Sequence, residues 1–67
     1  MIDTNKLKSI IVEKGVKNSY LAEKLGISKQ SLSNKLNNKT LFSLTEVKGL
    51  CEILKISPRD CFNIFLS

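Results

Sequence analysis

The stretch from Asn18 to Lys39 constrains the fold more than any other part of the chain. It reads NSYLAEKLGISKQSLSNKLNNK, and Gly26 separates two segments of helical periodicity. Glycine adopts positive φ without a steric penalty, so the chain can turn sharply at this point. The apolar residues of both segments can then share one core: Leu21, Ala22, Leu25, Ile27, Leu32 and Leu36. The stretch therefore predicts two short helices joined by a tight turn.

The second of these helices is predicted to start after Ser28, a good N-cap, and to run to about Asn37. With Leu32 and Leu36 turned inward at about 100° per residue, its outward face is rich in amides and hydroxyls. That face consists of Gln30, Ser33, Asn34 and Asn37, with Lys29 and Lys35 on its flanks. Exposed helix faces usually carry Glu and Lys, which form helix better. Gln and Asn can bond bidentately to adenine, so the face suits the reading of base edges; a merely solvated face is the alternative.

Charge and the following loop favour a polyanionic partner. The chain has a net charge of +5, and no acidic residue occurs from Lys24 through Thr45, a span that holds four lysines. Asn37, Asn38, Lys39 and Thr40 form an exit loop, in which Asn38 is a candidate for a left-handed conformation. Its amides, Lys39 and Thr40 can meet phosphate, unless it is a plain surface loop.

The rest of the chain is predicted to complete an all-α, compact bundle of five short helices. Asp3 or Thr4 can cap a first helix that ends at Gly15, with Leu7, Ile10 and Ile11 as its apolar stripe. Asn18 or Ser19 can cap the second helix. Ser43 and Glu46 form a capping box for a fourth helix from Leu44, with the stripe Leu44, Val47, Leu50, Cys51 and Leu54. Ser57 and Pro58 start the last helix.

The last helix carries more large apolar groups than a solvated tail needs: Cys61, Phe62, Ile64, Phe65 and Leu66. Some are expected to bury against the core and the others to form a homodimer contact, so that Phe62, Ile64, Phe65 and Leu66 are the dimer candidates. Closure of the core without a dimer is the competing interpretation.

The composition excludes several classes of function. The sequence has no His and only two Cys, so no zinc site and no metal or other cofactor is expected. In a reducing cytosol Cys51 and Cys61 are expected to be small buried hydrophobic residues with free thiols, and a disulfide between them is the less favoured alternative. No apolar run is long enough to span a membrane, and no signal peptide is recognisable, which predicts a cytoplasmic protein without membrane contact. Nothing resembles a catalytic motif, so an enzyme is not expected. The 67 residues are predicted to be one domain without a ligand-sensing part.

Two segments carry a resemblance to a known family. LAEKLGISKQSLSNKL, from Leu21 to Leu36, and LCEILKISPRDCF, from Leu50 to Phe62, resemble the lambda-repressor-like (Cro/C1-type) helix-turn-helix domains of phage and bacterial regulators. The resemblance implies that Lys29, Gln30, Ser31, Ser33 and Asn34 face the major groove of DNA. It also implies phosphate contacts by Asn18 before the turn, and by Asn37, Asn38 and Lys39 after the recognition helix.

The chain departs from the family pattern at three places. Ile11 and Leu36 stand where many members pair an Arg with a Glu, and an apolar pair is a stable replacement for a buried ion pair. Lys17 stands where a Thr usually caps the second helix. Lys35 occupies a position that is usually apolar, and the helical pattern assigns it no role.

The function expected from this sequence is that of a sequence-specific DNA-binding transcriptional regulator, and of a repressor in particular. A homodimer would bind a pseudo-palindromic operator in double-stranded DNA, with no small-molecule ligand. The alternative is a helix-turn-helix protein-interaction module, such as an antitoxin or adaptor, whose apolar last helix docks another protein. A peripheral membrane binder is a weaker alternative, because no helix pairs a basic face with exposed aromatic residues.

Overall fold

The computed structural model describes residues 2–65, and this part of the chain forms five helices and no strand. The helices are α1 (Thr4–Lys14), α2 (Asn18–Leu25), α3 (Lys29–Leu36), α4 (Leu44–Ile53) and α5 (Pro58–Phe65). The radius of gyration is 10.6 Å, close to the value of about 11 Å expected for a globular chain of this length. The predicted all-α bundle is confirmed; Leu66 lies outside the described residues.

The first helix forms as its local sequence predicts. The side chain of Asp3 caps α1 by accepting a hydrogen bond from the Lys6 N–H at 3.0 Å. Gly15 ends the helix in the left-handed conformation with φ of 68°. Leu7 and Ile11 are buried on its inner face, while Ile10 is half-buried. The helix α1 therefore packs against the core through the face that carries Leu7 and Ile11.

The turn between α2 and α3 confirms one predicted cap and corrects another. Gly26 adopts φ of 71° at the end of α2, and the Ser28 side chain accepts from the Ser31 N–H at 3.0 Å at the start of α3. The prediction that Asn18 or Ser19 caps α2 is wrong, because Lys17 is the N-cap residue and makes no side-chain cap bond. A lysine has no acceptor to offer, so this helix start depends on its packing.

The core joins all five helices. Leu21 and Ala22 of α2 and Leu32 and Leu36 of α3 are buried, and α4 packs across α2. Gly49 lies at that crossing, where an added Cβ would approach the Leu25 side chain to 2.9 Å. The glycine therefore allows α2 and α4 to come close. The remaining buried apolar residues are Leu7, Ile11, Leu50, Leu54, Ile64 and Phe65.

The start of α4 is capped as predicted but exposes a residue expected in the core. Ser43 and Glu46 complete the capping box, with the Ser43 N–H donating to Glu46 Oε1 at 2.8 Å and the Glu46 N–H donating to Ser43 Oγ at 3.1 Å. Leu44, the first residue of the helix, is 78% exposed, so its assignment to the buried stripe is wrong. At this position the side chain leaves the helix beyond the edge of the core; the stripe that packs begins at Val47.

The last helix is tied to the rest of the bundle in two ways. Its start is capped by Ser57, whose Oγ accepts from the Asp60 N–H at 3.2 Å, and its end is held by the Asp3 N–H, which donates to the Ile64 carbonyl at 2.8 Å. A disulfide between Cys51 and Cys61 joins α4 to α5. The prediction of free thiols is therefore wrong: folding back at Ser57 brings the two half-buried cysteines together, with their Cα atoms 6.2 Å apart.

Burial also revises the list of dimer candidates. Ile64 is fully buried and Phe65 is 8% exposed, both within the core of the single chain. They cannot form a contact between chains without opening that core, so their assignment to the dimer contact is corrected. Phe62, in contrast, is 61% exposed and stays available.

Candidate nucleic-acid interface

The outward face of α3 agrees with the helical pattern except at Asn34. Leu32 and Leu36 are buried at 0% and 4% exposure, which fixes the rotation of the helix about its axis. Lys29, Gln30 and Ser33 are consequently exposed. Asn34, which the pattern places in the outward face, is half-buried, as is Ser31. The five residues expected at the major groove are thus gathered on one eight-residue helix.

Two of these side chains hold each other. The Gln30 Nε2 donates a hydrogen bond to Asn34 Oδ1 at 3.0 Å, across one turn of the helix. A side-chain amide has two N–H donors and an oxygen with two acceptor sites. Gln30 therefore keeps its own oxygen and a second N–H for another partner, which is the donor–acceptor pair that adenine N6 and N7 require. This hydrogen bond limits the conformations of both side-chain amides and leaves each of them further donors and acceptors for another partner.

The end of α3 is bound to α1 through Asn37. The Asn37 Nδ2 donates to the Ser33 carbonyl at 2.9 Å, and its Oδ1 accepts from Lys8 Nζ at 3.0 Å. Asn37 is thus committed to contacts within the chain. Lys8, a residue of α1 that the sequence did not single out, is brought to the border of the predicted interface. A contact between residues 29 positions apart has no local signal in the sequence.

The exit loop has the conformation predicted for it and is fastened on both sides. Asn38 adopts φ of 62°, as expected, and its Nδ2 donates to the hydroxyl of the buried Thr4 at 3.2 Å. The backbone N–H groups of Lys39 and Thr40 both point to the Asn34 carbonyl, at 2.8 and 3.4 Å. All four loop residues are exposed, but the side chains of Asn37 and Asn38 are hydrogen-bonded to residues of α1. We therefore take the exposed side chains of Lys39 and Thr40 as the groups that meet an outside partner.

Lys35, which the sequence left without a role, lies at 14% side-chain exposure behind the interface. Its Nζ donates to the Leu41 carbonyl at 2.9 Å, pairs with Glu46 Oε1 at 3.1 Å and stands 6.0 Å from the centre of the Phe42 ring. Of the two lysines that flank the outward face of α3, Lys29 is exposed and Lys35 is engaged inside the chain. The capping box signalled Glu46 in the sequence, but nothing local connects it to a lysine of the preceding helix.

The electrostatics of this side of the molecule follow from these contacts. The backbone N–H of Ser43 chiefly, and then the hydrogen bond and positive charge of Lys35, lower the pKa of the Glu46 carboxyl, while desolvation opposes them. The acid nearest to the exit loop along the chain is thus already paired. Lys29 and Lys39 remain exposed, in a part of the chain with no acidic residue.

Three residues of α2 are exposed near the turn. Asn18 is exposed at the first position of α2, where it does not serve as the cap. Tyr20, on the same helix, is 47% exposed, and Lys24 Nζ lies 5.5 Å from the centre of its ring. An exposed aromatic ring and a lysine thus neighbour the start of the helix pair.

A separate apolar groove lies between α4 and α5. Its volume is about 530 Å³. The lining residues are Ile2, Phe42, Leu44, Val47, Pro58, Cys61, Phe62 and Phe65. Leu41, which is 85% exposed, precedes Phe42 at its edge. Within residues 2–65 no group of acids and cysteines is arranged to hold a metal ion, and no helix is long and apolar enough to cross a membrane.

Two short helices joined at a left-handed glycine, the second with a polar outward face, define a helix-turn-helix domain. A family model for the Cro/C1-type HTH DNA-binding domain matches residues 6–65, and the chain belongs to this family. Membership implies binding to double-stranded DNA. In a comparison with curated protein sequences, none matches the chain.

Proposed function

We propose that this chain is a sequence-specific DNA-binding transcriptional regulator, and that it acts as a repressor by placing α3 in the major groove. The observation that supports this most is the outward face of α3. It offers paired amides and hydroxyls on a helix whose rotation is fixed by two buried leucines. A repressor is preferred over an activator because occupying the operator is sufficient for repression.

Base recognition is assigned to Gln30, Ser33 and Asn34, with Lys29 and Ser31 at the edges. Each good bidentate pair with a base discriminates by about 1–3 kcal/mol against the wrong base. Because Gln30 and Asn34 are already hydrogen-bonded to each other, fewer rotamers are lost when they meet the base. We expect adenine at the positions that they read.

Contacts to the DNA backbone are assigned to Lys39 and Thr40 in the exit loop and to Asn18 at the start of α2. Lys8 joins them as an addition that follows from its contact with Asn37. Asn37 and Asn38, which the resemblance assigns to the backbone, are proposed to act by holding the loop to α1. Phosphate contacts by lysines release counterions, so affinity should fall with the logarithm of the salt concentration.

The proposed active species is a homodimer on a pseudo-palindromic operator. Two recognition helices related by a two-fold axis read half-sites about 34 Å apart. Phe62 and Leu44, both exposed beside the apolar groove, are the proposed contacts between chains. Their burial in a dimer would remove two large exposed apolar side chains from the solvent.

The same groove favours a second candidate function, a protein-interaction module. A groove of about 530 Å³ lined by apolar side chains could accept a helix of another protein. This alternative assigns no role to the amides of α3, which is why the DNA-binding regulator is preferred.

Selection from a random duplex pool tests the proposal. The protein is incubated with the pool at low and moderate salt, and the bound fraction is sequenced. We expect enrichment of a symmetric motif and weaker retention at the higher salt. Absence of DNA binding at low salt would refute the proposed function, and an asymmetric motif would refute the homodimer. Size-exclusion chromatography of Phe62→Asp, with Val12→Asp on exposed α1 as the matched control, locates the dimer contact.

A further inference from the structure

Lys35 differs from the other lysines of the predicted interface in where its charge is placed. It lies in the last turn of α3, next to the buried Leu36, and its side chain is only 14% exposed. Lys29 and Lys39, before and after it, are exposed. A lysine that serves only to neutralise phosphate has no reason to be covered by its own chain. We therefore looked for the reason for its low exposure in the contacts that it makes within the chain.

The ammonium group of Lys35 closes a loop. It donates to the Leu41 carbonyl at 2.9 Å, which links the end of α3 to the residue just after the exit loop. The segment enclosed by this bond, residues 36–40, contains every exit-loop residue expected near the DNA backbone. Within it, the Lys39 N–H returns to the Asn34 carbonyl at 2.8 Å. The exit loop is therefore held to α3 by two hydrogen bonds, one from Lys39 within the loop and one to Leu41 just after it.

The same ammonium group connects α3 to α4. Glu46 Oε1 accepts from Lys35 at 3.1 Å and from the Ser43 N–H at 2.8 Å. A single carboxylate oxygen thus fixes both the start of α4 and the lysine of the recognition helix. The Lys35 Nζ also lies 6.0 Å from the centre of the Phe42 ring, and this ring meets that of the buried Phe65 edge-on at 6.1 Å. The anchor point is consequently part of the packed core rather than of a free loop.

We propose that Lys35 and Glu46 form a positioning pair that sets the exit loop relative to the recognition helix. The pair contacts neither base nor phosphate. It keeps the side chains of Lys39 and Thr40 at the distance from Gln30 and Asn34 at which both sets meet the same duplex. This role rests on the proposed function, since it concerns how α3 and its loop engage DNA together.

The opposing interpretation is that Lys35 swings out to a phosphate when DNA is present. That movement would release the Leu41 carbonyl and leave the Glu46 carboxylate unpaired beside a polyanion. The structure offers no other cation to Glu46, since Lys35 is its one ion-pair partner among the described residues. The two interpretations differ in an observable way, because only a phosphate contact contributes to the salt dependence of binding.

The test uses the selected duplex and a second duplex with one recognised base pair changed, each titrated over a range of salt. Lys35→Met removes the charge but keeps an unbranched side chain of similar length. Lys35→Arg keeps donors for both oxygens, and Lys39→Met is the matched control on an exposed lysine.

We expect Lys35→Met to lose roughly tenfold in discrimination between the duplexes, the size of one good base contact, with an unchanged salt slope. Lys35→Arg should restore discrimination. Lys39→Met should lower the slope by about 1 and leave discrimination unchanged.

Hydrogen exchange of the free protein gives a readout that needs no DNA. Lys35→Met should speed exchange of the Lys39 N–H several-fold while the amides of α2 keep their protection. If Lys35→Met does not fold, Glu46→Gln replaces it, because a glutamine oxygen still accepts from the Ser43 N–H and only the ionic part of the Lys35 contact is lost.

Failure of the proposed DNA-binding function and failure of the positioning pair give different results. Wild-type protein that binds no duplex at low salt refutes the proposed function, and the role of the pair with it. Wild-type protein that binds, combined with a Lys35→Met variant that keeps its discrimination or loses about 1 in salt slope, refutes the positioning pair alone.

Discussion

The surface formed by α3 and the exit loop differs from the surface formed by α4 and α5 in the contacts that hold it. On the α3 side, polar side chains span the elements: Lys8 to Asn37, Thr4 to Asn38, and Lys35 to Glu46. On the α4–α5 side, a disulfide and buried apolar residues do this work, and the outer groove is apolar. One surface is suited to a charged, hydrated partner and the other to an apolar one.

Residues of the same type have different roles on the surface formed by α3 and the exit loop. Asn34 keeps donors and acceptors available at the groove side of α3, whereas Asn37 and Asn38 use theirs within the chain. Lys39 is exposed, whereas Lys35 is covered. Substitutions on the two surfaces should therefore differ in whether they change the free energy of unfolding or the binding of DNA.

The largest expected effect is on the α4–α5 side and concerns stability. Replacing Cys51 and Cys61 together by Ser opens a loop of ten residues, which should lower the free energy of unfolding by about 3 kcal/mol. Chemical denaturation measures the loss, and reduction of the wild type should reproduce it. The ratio of affinities for the selected and altered duplexes should not change. Equal stability of the wild type under oxidising and reducing conditions would contradict the disulfide.

The next effect is on specificity, at the α3 side. Asn34→Ala removes a base-reading amide and the acceptor for Gln30, so discrimination against the altered base pair should fall by about 1–3 kcal/mol. The free energy of unfolding should fall by less than it does for the cysteine replacement, because the half-buried Asn34 side chain loses only its hydrogen bond from Gln30. Competition binding with both duplexes measures the change. An equal loss of affinity for every sequence would contradict base reading by Asn34.

A smaller effect on stability is expected at the start of α4. Ser43→Ala removes the acceptor for the Glu46 N–H, at a cost of about 1 kcal/mol. Because Glu46 also holds Lys35, this change should additionally weaken the link from α4 to the recognition helix. Thermal unfolding measures the first effect. Ser31→Ala on α3, whose backbone N–H still reaches Ser28, is the matched control and should cost clearly less.

The smallest effect is a dependence on pH. The folded-state pKa of Glu46 lies below its ordinary value of 4.5, so its contribution to stability is complete above that pH and is lost as the pH falls below it. The free energy of unfolding of the wild type should therefore fall more steeply below pH 4.5 than that of Glu46→Gln. Parallel curves for the two proteins would show that the Glu46 carboxylate is not stabilised by Ser43 and Lys35.

Local features of the fold could be predicted from the sequence because their physical causes are local. Gly15, Gly26 and Asn38 stand where the backbone takes positive φ. The serine caps at positions 28, 43 and 57 start the helices that follow them. The burial of Leu32 and Leu36 follows from helical periodicity, and it placed the outward residues of α3.

Long-range contacts could not be predicted, since nothing in the local pattern encodes them. The pairing of Cys51 with Cys61 depends on how α5 folds back on α4. The place of Lys35 depends on the approach of Glu46 from the next helix. Leu44 fits an apolar stripe by spacing alone, but the packing of α4 leaves it outside.

We expect DNA to bind to the surface formed by α3 and the exit loop, and not to the surface formed by α4 and α5. Titration of the isotope-labelled protein with the selected duplex, followed by amide chemical shifts, tests it most directly. We expect the largest shifts at residues 28–40, including the side-chain amides of Gln30 and Asn34, with small shifts around the groove at Leu44 and Phe62. Shifts concentrated at the groove, with the amides of α3 unchanged, would show that DNA does not bind to α3.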